Sequence, residues 1–231
     1  MEWRELWMVR MCPGCNENPA PSHEKLFCAP CYAQLRPPPP SHCPLCMLPF
    51  LPCPSCAASP PSFDSVHAPF VYEGPMASAI QRFKYKKYPE LAAPLAKLWL
   101  AHLTSALPAL PLNVVPLPLH RLRYLQRGFD QTVLLSKALA QYTHKKLRLH
   151  WLSRAQATQQ QMGHGQSARQ SNVLHLEKAF VASPMVRNQA VLLVDDVVTT
   201  GSTAQACARV LKKAGAHSVH ILCLSRTVFG E

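Results

Sequence analysis

The chain has 231 residues, 48% of them hydrophobic, a composition that supports a packed core and excludes wholesale disorder. Lysine and arginine number 24 against 12 acidic residues, and the net charge of +12 favours anionic partners such as nucleic acid or phosphorylated metabolites. Every apolar window of about 18 residues is interrupted by polar residues or proline, which predicts no membrane insertion. The first residues, MEWRELWMVRM, lack the apolar centre of a secretion signal, so we expect a cytoplasmic protein.

Eight of the ten cysteines lie in the first 56 residues, as four Cys-x-x-Cys pairs. Each pair can present two thiolates to one metal ion, and two pairs complete the four-cysteine shell of a structural zinc site. A disulfide framework would need an oxidising compartment, and a thioredoxin-type redox site would need a single pair before a helix. We therefore predict two structural zinc sites. In sequence order they are Cys12, Cys15, Cys28 and Cys31, then Cys43, Cys46, Cys53 and Cys56.

The proline run RPPPPS, residues 36–41, favours this grouping because it predicts an extended spacer between two compact metal sites. Interleaved pairing of the cysteine pairs is the alternative. Few apolar residues accompany the cysteines, so metal binding is expected to supply most of the folding free energy here. The stretch AASPPS, residues 57–62, is typical of a linker. We predict a double zinc-ribbon module over residues 1–60 and a main domain over 61–231.

Predicted strands and helices alternate along the main domain. The strands fall at 65–74 (with a turn), 113–119, 190–196 and 218–226, and the helices at 76–87, 90–103, 130–143 and 202–216. Unbroken apolar strands between helices predict a parallel α/β sheet flanked by helices, which binds ligands at the carboxyl ends of its strands. Cys207 and Cys223 fall in a predicted helix and strand, where we expect small core residues.

The stretch VLLVDDVVTTGST, residues 191–203, joins a buried strand to a loop rich in hydroxyl groups and then to a helix. The N–H groups at a helix N-terminus bind phosphate, and side-chain hydroxyls add donors. Glycine at position 201 lets the backbone approach the anion closely. The hydroxyl residues are Thr199, Thr200, Ser202 and Thr203.

Asp195 and Asp196 end the same strand, and carboxylates belong beside a phosphate site only if the ligand also offers hydroxyls or a metal. A ribose 5-phosphate offers both a phosphate and vicinal hydroxyls. A Walker B strand also ends in acidic residues, but its partner loop needs Gly-Lys, and no glycine here precedes lysine. A capped helix without a ligand would leave the paired aspartates unexplained.

This stretch resembles the phosphoribosyl-pyrophosphate (PRPP) signature of type I phosphoribosyltransferases, and the chain as a whole resembles the ComF/GntX family of competence-associated proteins. That family joins a cysteine-rich zinc ribbon to a phosphoribosyltransferase domain, and the likeness covers nearly the whole chain. Asp130 stands where the family usually has asparagine. The other blocks that carry the likeness are Phe83-Lys84-Tyr85, PLPLHRLRYLQRGFDQ at 116–131, and the set Arg154, Thr158, Gln161, Arg169, Asn172 and Phe180.

The resemblance implies that the protein binds PRPP together with magnesium. It implies that Asp195 and Asp196 hold the ribose hydroxyls or the metal. The segment 158–169 would be a lid that brings Arg169 or Arg154 over the pyrophosphate, and Lys84 would act from the hood. The residues implied to hold the 5-phosphate are Val197, Val198, Thr199, Thr200, Gly201, Ser202 and Thr203, and those implied to meet the pyrophosphate are Leu119, His120 and Arg121.

Two functional classes remain open. One is an enzyme that transfers phosphoribose to an unidentified acceptor, and the other is a non-catalytic competence factor that keeps the PRPP fold. The family's association with natural transformation implies a role in handling incoming single-stranded DNA. The basic segment 121–154 contains Tyr124, Phe129, Tyr142 and Trp151, which would allow backbone contact and base stacking. The zinc ribbons could equally dock other competence proteins.

Overall fold

The structure is a computed structural model that describes residues 11–21, 26–86, 88–103, 109–155 and 176–227. Its strands are β1 (Ser65–His67), β2 (Phe70–Val71), β3 (Asn113–Pro116), β4 (Lys146–Leu147), β5 (Leu152–Arg154), β6 (Phe180–Ala182), β7 (Ala190–Val198) and β8 (Ser218–Arg226). Its helices are α1 (Ala29–Ala33), α2 (Pro54–Ala58), α3 (Gly74–Tyr85), α4 (Ala92–Ala101), α5 (Arg121–Arg127), α6 (Gln131–Thr143) and α7 (Ser202–Lys213). Short 3₁₀ turns at Pro89–Leu91 and Pro184–Val186 precede α4 and β7.

The main sheet is parallel and has the strand order β1-β8-β7-β3-β4. Strand β2 lies on the same side of β8 as β1 and pairs with the carboxyl end of β8. The two longest strands, β7 and β8, pair from Ala190↔Ser218 to Val198↔Arg226 at the centre. Strands β5 and β6 form a separate antiparallel pair. The predicted fold class, a parallel sheet flanked by helices, is confirmed.

Alternate residues of β7 face two different hydrophobic clusters. Leu192 and Val194 pack with residues of α3, α4 and α6, whereas Val191 and Leu193 pack with residues of α7. From β3 the chain runs through α5 and α6 to β4, and from β7 it runs through α7 to β8 on the other side. The chain therefore leaves β3 and β7 in opposite directions, which opens a crevice between their carboxyl ends.

The structure departs from the predicted elements at 65–74 and at α5, and it adds the short elements α1, α2, β4, β5 and β6. The strand predicted at 65–74 is divided into β1 and β2, with Ala68 and Pro69 between them; proline lacks the N–H that a ladder needs. Helix α5 was not predicted, because it buries only Arg127 and so has no apolar face that periodicity could reveal.

The two cysteine groups repeat one local structure. In each, a turn closes over the first pair, with Asn16 N–H donating to Cys12 O and Met47 N–H donating to Cys43 O at 2.8 Å. In each, the second pair opens a one-turn helix, α1 or α2, with proline in its first turn. The proline run lies between the repeats, as the sequence predicts.

The first cysteine group packs against the main sheet. Cys12, Cys28 and Cys31 belong to the same buried cluster as Ile80 and Phe83 of α3. Arg82 Nε also donates to Pro13 O at 3.1 Å. The second group forms its own small cluster and reaches the core through Met47. The division at residue 60 stays a prediction.

Candidate functional site

Each cysteine group brings four sulfur atoms together in the grouping that sequence order predicts. Within each group the ligand atoms lie within 4.8 Å of one another, and either group could hold a metal ion. Sulfur–sulfur distances are 3.8 Å for Cys15–Cys28 and 3.7 Å for Cys46–Cys53. A tetrahedral zinc ion with Zn–S bonds of about 2.3 Å requires a separation of about 3.8 Å, so the geometry fits zinc.

Backbone N–H groups favour the thiolate form of one of these cysteines, the form that binds a metal. Hydrogen bonding from Asn18 and Glu17 lowers the pKa of the Cys15 thiol to about 6. All ten cysteines are free thiols. Cys207 and Cys223 are fully buried, and burial raises the pKa of both, which confirms the prediction that they are core residues.

The loop after β7 presents hydroxyl groups at the crevice. Thr199 and Thr200 are exposed, and the hydroxyls of Thr200 and Ser202 lie 2.9 Å apart. Gly201 precedes α7 with φ of 78°, in the left-handed region. A Cβ on Gly201 would meet only Val198 at 3.8 Å, so the backbone conformation rather than space calls for glycine here. The loop joins β7 to α7 as the sequence predicts, with Val197 at the strand end and Thr203 in the first turn of α7. Its role as a phosphate cradle stays a prediction.

The two aspartates have different surroundings, because successive side chains of a strand point to opposite faces. Asp195 is paired in register with Cys223 and is partly exposed. Burial and the neighbouring charge of Asp196 raise the pKa of Asp195 to about 7. Asp195 therefore remains the more accessible carboxylate at the crevice, and its charge is sensitive to pH near neutrality.

Asp196 is buried and is held by Lys84 from α3. The Lys84 Nζ atom lies 2.7 Å from Asp196 Oδ1, and the two side chains are 15% and 4% exposed. Burial alone would lower the pKa of Lys84, but the charges of Asp196 and Asp195 outweigh it, so the pKa is raised. Lys84 thus forms an ion pair with Asp196. Its implied action on the ligand from the hood stays a prediction.

The loop after β3 lies on the other side of the crevice. Leu119 is half-buried, His120 caps α5 by accepting from Leu122 N–H, and Arg121 is the exposed first residue of that helix. The Thr132 hydroxyl donates to Leu117 O at 2.7 Å and fixes this loop to α6. Asp130 caps α6 by accepting from the N–H groups of residues 132 and 133, a role that needs no amide donor.

Positive charge gathers around the same loop. Arg154 Nε contacts Pro118 O at 3.4 Å, and its guanidinium lies 4.9 Å from the ring centre of Phe180. Burial lowers the pKa of Arg154, and so does the nearby charge of Arg123. Arg169, the predicted lid at 158–169 and the block residues Thr158, Gln161 and Asn172 lie outside the described residues.

The aromatic residues of the basic segment are not equally available for base stacking. Tyr124 and Tyr142 are 49% and 41% exposed. Trp151 is buried beneath Arg148, and Phe129 packs against Phe83 with ring centres 5.6 Å apart. Of these four aromatic residues, only Tyr124 and Tyr142 are therefore exposed enough for the predicted base stacking.

Comparison with known proteins identifies the family. A model of the phosphoribosyl transferase domain matches residues 144–227. The DNA utilization protein YhgH of Escherichia coli (strain K12) is 35% identical over 195 residues, which cover 80% of this chain and 84% of that protein. The chain belongs to the ComF/GntX family.

Two further similarities were found. Competence protein F of Haemophilus influenzae is 29% identical over 178 residues, which cover 75% of this chain and 78% of that protein. The allosteric regulatory enzyme of purine biosynthesis is 16% identical, with a TM-score of 0.44 over 62% of this chain and 29% of that chain. The last likeness is too weak to carry any argument. Among the described residues of this ComF/GntX chain, no helix has the length and apolar character needed to cross a membrane.

One residue at the site of this ComF/GntX protein was not predicted from the sequence. Arg226, at the carboxyl end of β8, is 4% exposed, and its Nη1 atom contacts Thr199 O at 3.4 Å. The available signal was an arginine at the end of a strand with an apolar centre, beside the aspartate strand. That signal is visible only once β8 is known to neighbour β7.

We expect Lys84→Met to destabilise this ComF/GntX protein by about 3–5 kcal/mol, because removing one partner leaves a buried charge uncompensated. The double variant Lys84→Met/Asp196→Leu should recover most of that loss. Urea unfolding measures both. The matched control is Lys212→Met, whose ion pair with Asp64 is exposed and should contribute no more than about 1 kcal/mol. If the double variant lost as much stability as the two single variants together, the coupling between Lys84 and Asp196 would be contradicted.

Proposed function

We propose that the protein binds PRPP, or another ligand that contains ribose 5-phosphate, in the crevice between the ends of β3 and β7. The observation that carries this proposal is the exposed hydroxyl loop before α7, which follows the partly exposed carboxylate of Asp195 at the end of β7. The 5-phosphate binds the loop from Val198 to Thr203. The ribose hydroxyls, with any magnesium that PRPP brings, lie at Asp195.

The loop after β3 receives the pyrophosphate. Arg121, Arg123 and Arg154 surround this loop, and together they neutralise charge that develops on the leaving group. Catalysis in such a site consists mainly of placement and electrostatic stabilisation. Asp196 does not touch the ligand directly; its ion pair with Lys84 fixes the end of β7 against α3.

We also propose that both cysteine groups hold zinc, one ion each. The sulfur separations fit tetrahedral zinc, and a full set of four thiolates leaves no open position for catalysis. The sites are therefore structural. Elemental analysis of the purified protein should find two zinc ions per chain.

The ligand class is tested by thermal unfolding against PRPP with magnesium, ribose 5-phosphate, nucleotides and single-stranded DNA. A ligand present at about 100 times its Kd stabilises a protein of this size by roughly 5–10 °C. We expect PRPP with magnesium to produce the largest rise and ribose 5-phosphate a smaller one. Stabilisation by DNA alone would reject the PRPP site in favour of the second function below.

The second function is binding of single-stranded DNA during natural transformation. It is favoured by the exposed basic residues of α5 and α6 and by the names of the relatives, which refer to DNA utilization and competence. Such binding would be electrostatic, with a logarithmic salt slope of about 0.7 per phosphate contact. Charge reversal at the exposed residues Arg123, Lys137 and Lys146 should weaken it. The same change at Arg187, at the opposite end of the sheet, should not.

A further inference from the structure

The carboxyl end of β8 carries three consecutive residues with buried polar atoms that lack a partner among the described residues. These atoms are Ser225 Oγ, Arg226 Nε and Thr227 Oγ1. The Arg226 guanidinium makes one long contact, from Nη1 to Thr199 O at 3.4 Å. Within the part of the chain that the structure describes, no carboxylate lies within salt-bridge distance of Arg226.

A buried guanidinium without an anionic partner is costly, because its charge is removed from water and not compensated. The backbone at Arg226 is paired on both sides. Tyr72 N–H donates to Arg226 O from the β2 side, and Thr227 N–H donates to Val198 O from the β7 side. A buried, unpaired guanidinium on such a backbone is suited to an anion that arrives with a ligand.

The position of Arg226 indicates which part of a ligand it meets. Strands β8 and β3 flank β7 on opposite sides. If PRPP binds as proposed, its ribose lies at the end of β7 and its pyrophosphate lies toward β3. An incoming nucleophile approaches a sugar carbon from the face opposite the leaving group, as water does in inverting glycosidases. The acceptor therefore approaches from the β8 side.

We propose that Arg226 binds a carboxylate of the phosphoribosyl acceptor, so that the acceptor is a nitrogen ring bearing a carboxylate and not a neutral nucleobase. This inference rests on the proposed PRPP site. The guanidinium fork of arginine matches a carboxylate with two parallel hydrogen bonds, which a neutral carbonyl cannot reproduce. Arg226 is thereby the residue that sets acceptor specificity.

Transfer of phosphoribose from PRPP to the acceptor needs no further reagent. The ring nitrogen donates its lone pair to C1 of the ribose, and the bond from C1 to the pyrophosphate oxygen breaks. Pyrophosphate leaves with that electron pair. A proton carried by the ring nitrogen is released to water.

The experiment compares matched pairs of probes that differ in the carboxylate: orotate with uracil, and nicotinate with nicotinamide. Binding of each is measured by calorimetry, with and without PRPP and magnesium, to the wild type and to Arg226→Gln and Arg226→Lys. Arg187→Gln, at the amino end of the sheet, is the control. Urea unfolding confirms that each variant is folded.

We expect the wild type to bind at least one carboxylate probe roughly tenfold to a hundredfold more tightly than its neutral partner. Arg226→Gln should abolish that preference, and Arg226→Lys should restore part of it. No preference in the wild type would overturn the proposal. A loss of PRPP affinity in Arg226→Gln without any carboxylate preference would instead make Arg226 a support of the Thr199 loop.

The measurement separates the two proposals. If PRPP fails to bind the wild type, the proposed function fails. The comparison of probes without PRPP still decides whether Arg226 recognises a carboxylate.

Discussion

Asp195→Asn lowers the affinity for PRPP roughly tenfold to a hundredfold, because a charged acceptor of hydroxyl hydrogen bonds contributes about 1.5–3 kcal/mol. Asp195 is the more accessible of the two aspartates, so its loss acts on the ligand directly. Calorimetry at about pH 8 is appropriate, since the pKa of Asp195 is raised to about 7 and the carboxylate must be ionised.

Asp196→Asn has a different expected outcome. Its carboxylate is 4% exposed and bound to Lys84, so the change should lower stability more than it lowers affinity measured on folded protein. Asp64→Asn is the matched control, because that carboxylate caps Val219 N–H at the amino end of the sheet. Equal losses of affinity for the changes at positions 195 and 196 would contradict the division of roles.

Cys12→Ala removes a fully buried ligand of the first metal group and is expected to unfold the main domain together with the cysteine region. Cys12 shares a buried cluster with Phe83, Ile80 and Phe70, so the lost site is continuous with the sheet core. Structural zinc contributes about 10–16 kcal/mol in small domains, as much as the whole stability of a typical protein. Urea unfolding and zinc content measure the effect.

The control is Cys56→Ala in the second metal group. That group forms its own small cluster, so its loss should remove one zinc ion and leave the main unfolding transition close to the wild type. Normal unfolding of the main domain in Cys12→Ala would contradict the idea that the first metal site supports the sheet.

Local patterns predicted much of this molecule. Sequence order and the proline run at 36–41 favoured the observed grouping of the cysteines, although the spacing of the pairs left interleaved pairing open. The strand and loop at 191–203 can also be predicted from local sequence, because an apolar run, two carboxylates and a hydroxyl-rich loop follow one another directly.

The contacts that give these residues their roles are between distant parts of the chain. Lys84 of α3 pairs with Asp196 of the sheet, and no local sequence pattern distinguishes Lys84 from an exposed lysine. The packing of the first cysteine group against α3, and the placement of Arg226 beside Thr199, likewise depend on strand order. Helix α5 was missed because the one residue it buries is Arg127, so it has no apolar face.

The most direct test is a crystal structure of the protein soaked with PRPP and magnesium. We expect the 5-phosphate within hydrogen-bond distance of the N–H groups and hydroxyls between Val198 and Thr203. We expect the ribose hydroxyls at Asp195 and the pyrophosphate beside Leu119, His120 and Arg121. A ligand bound only along the basic surface of α5 and α6, with the loop before α7 empty, would contradict it.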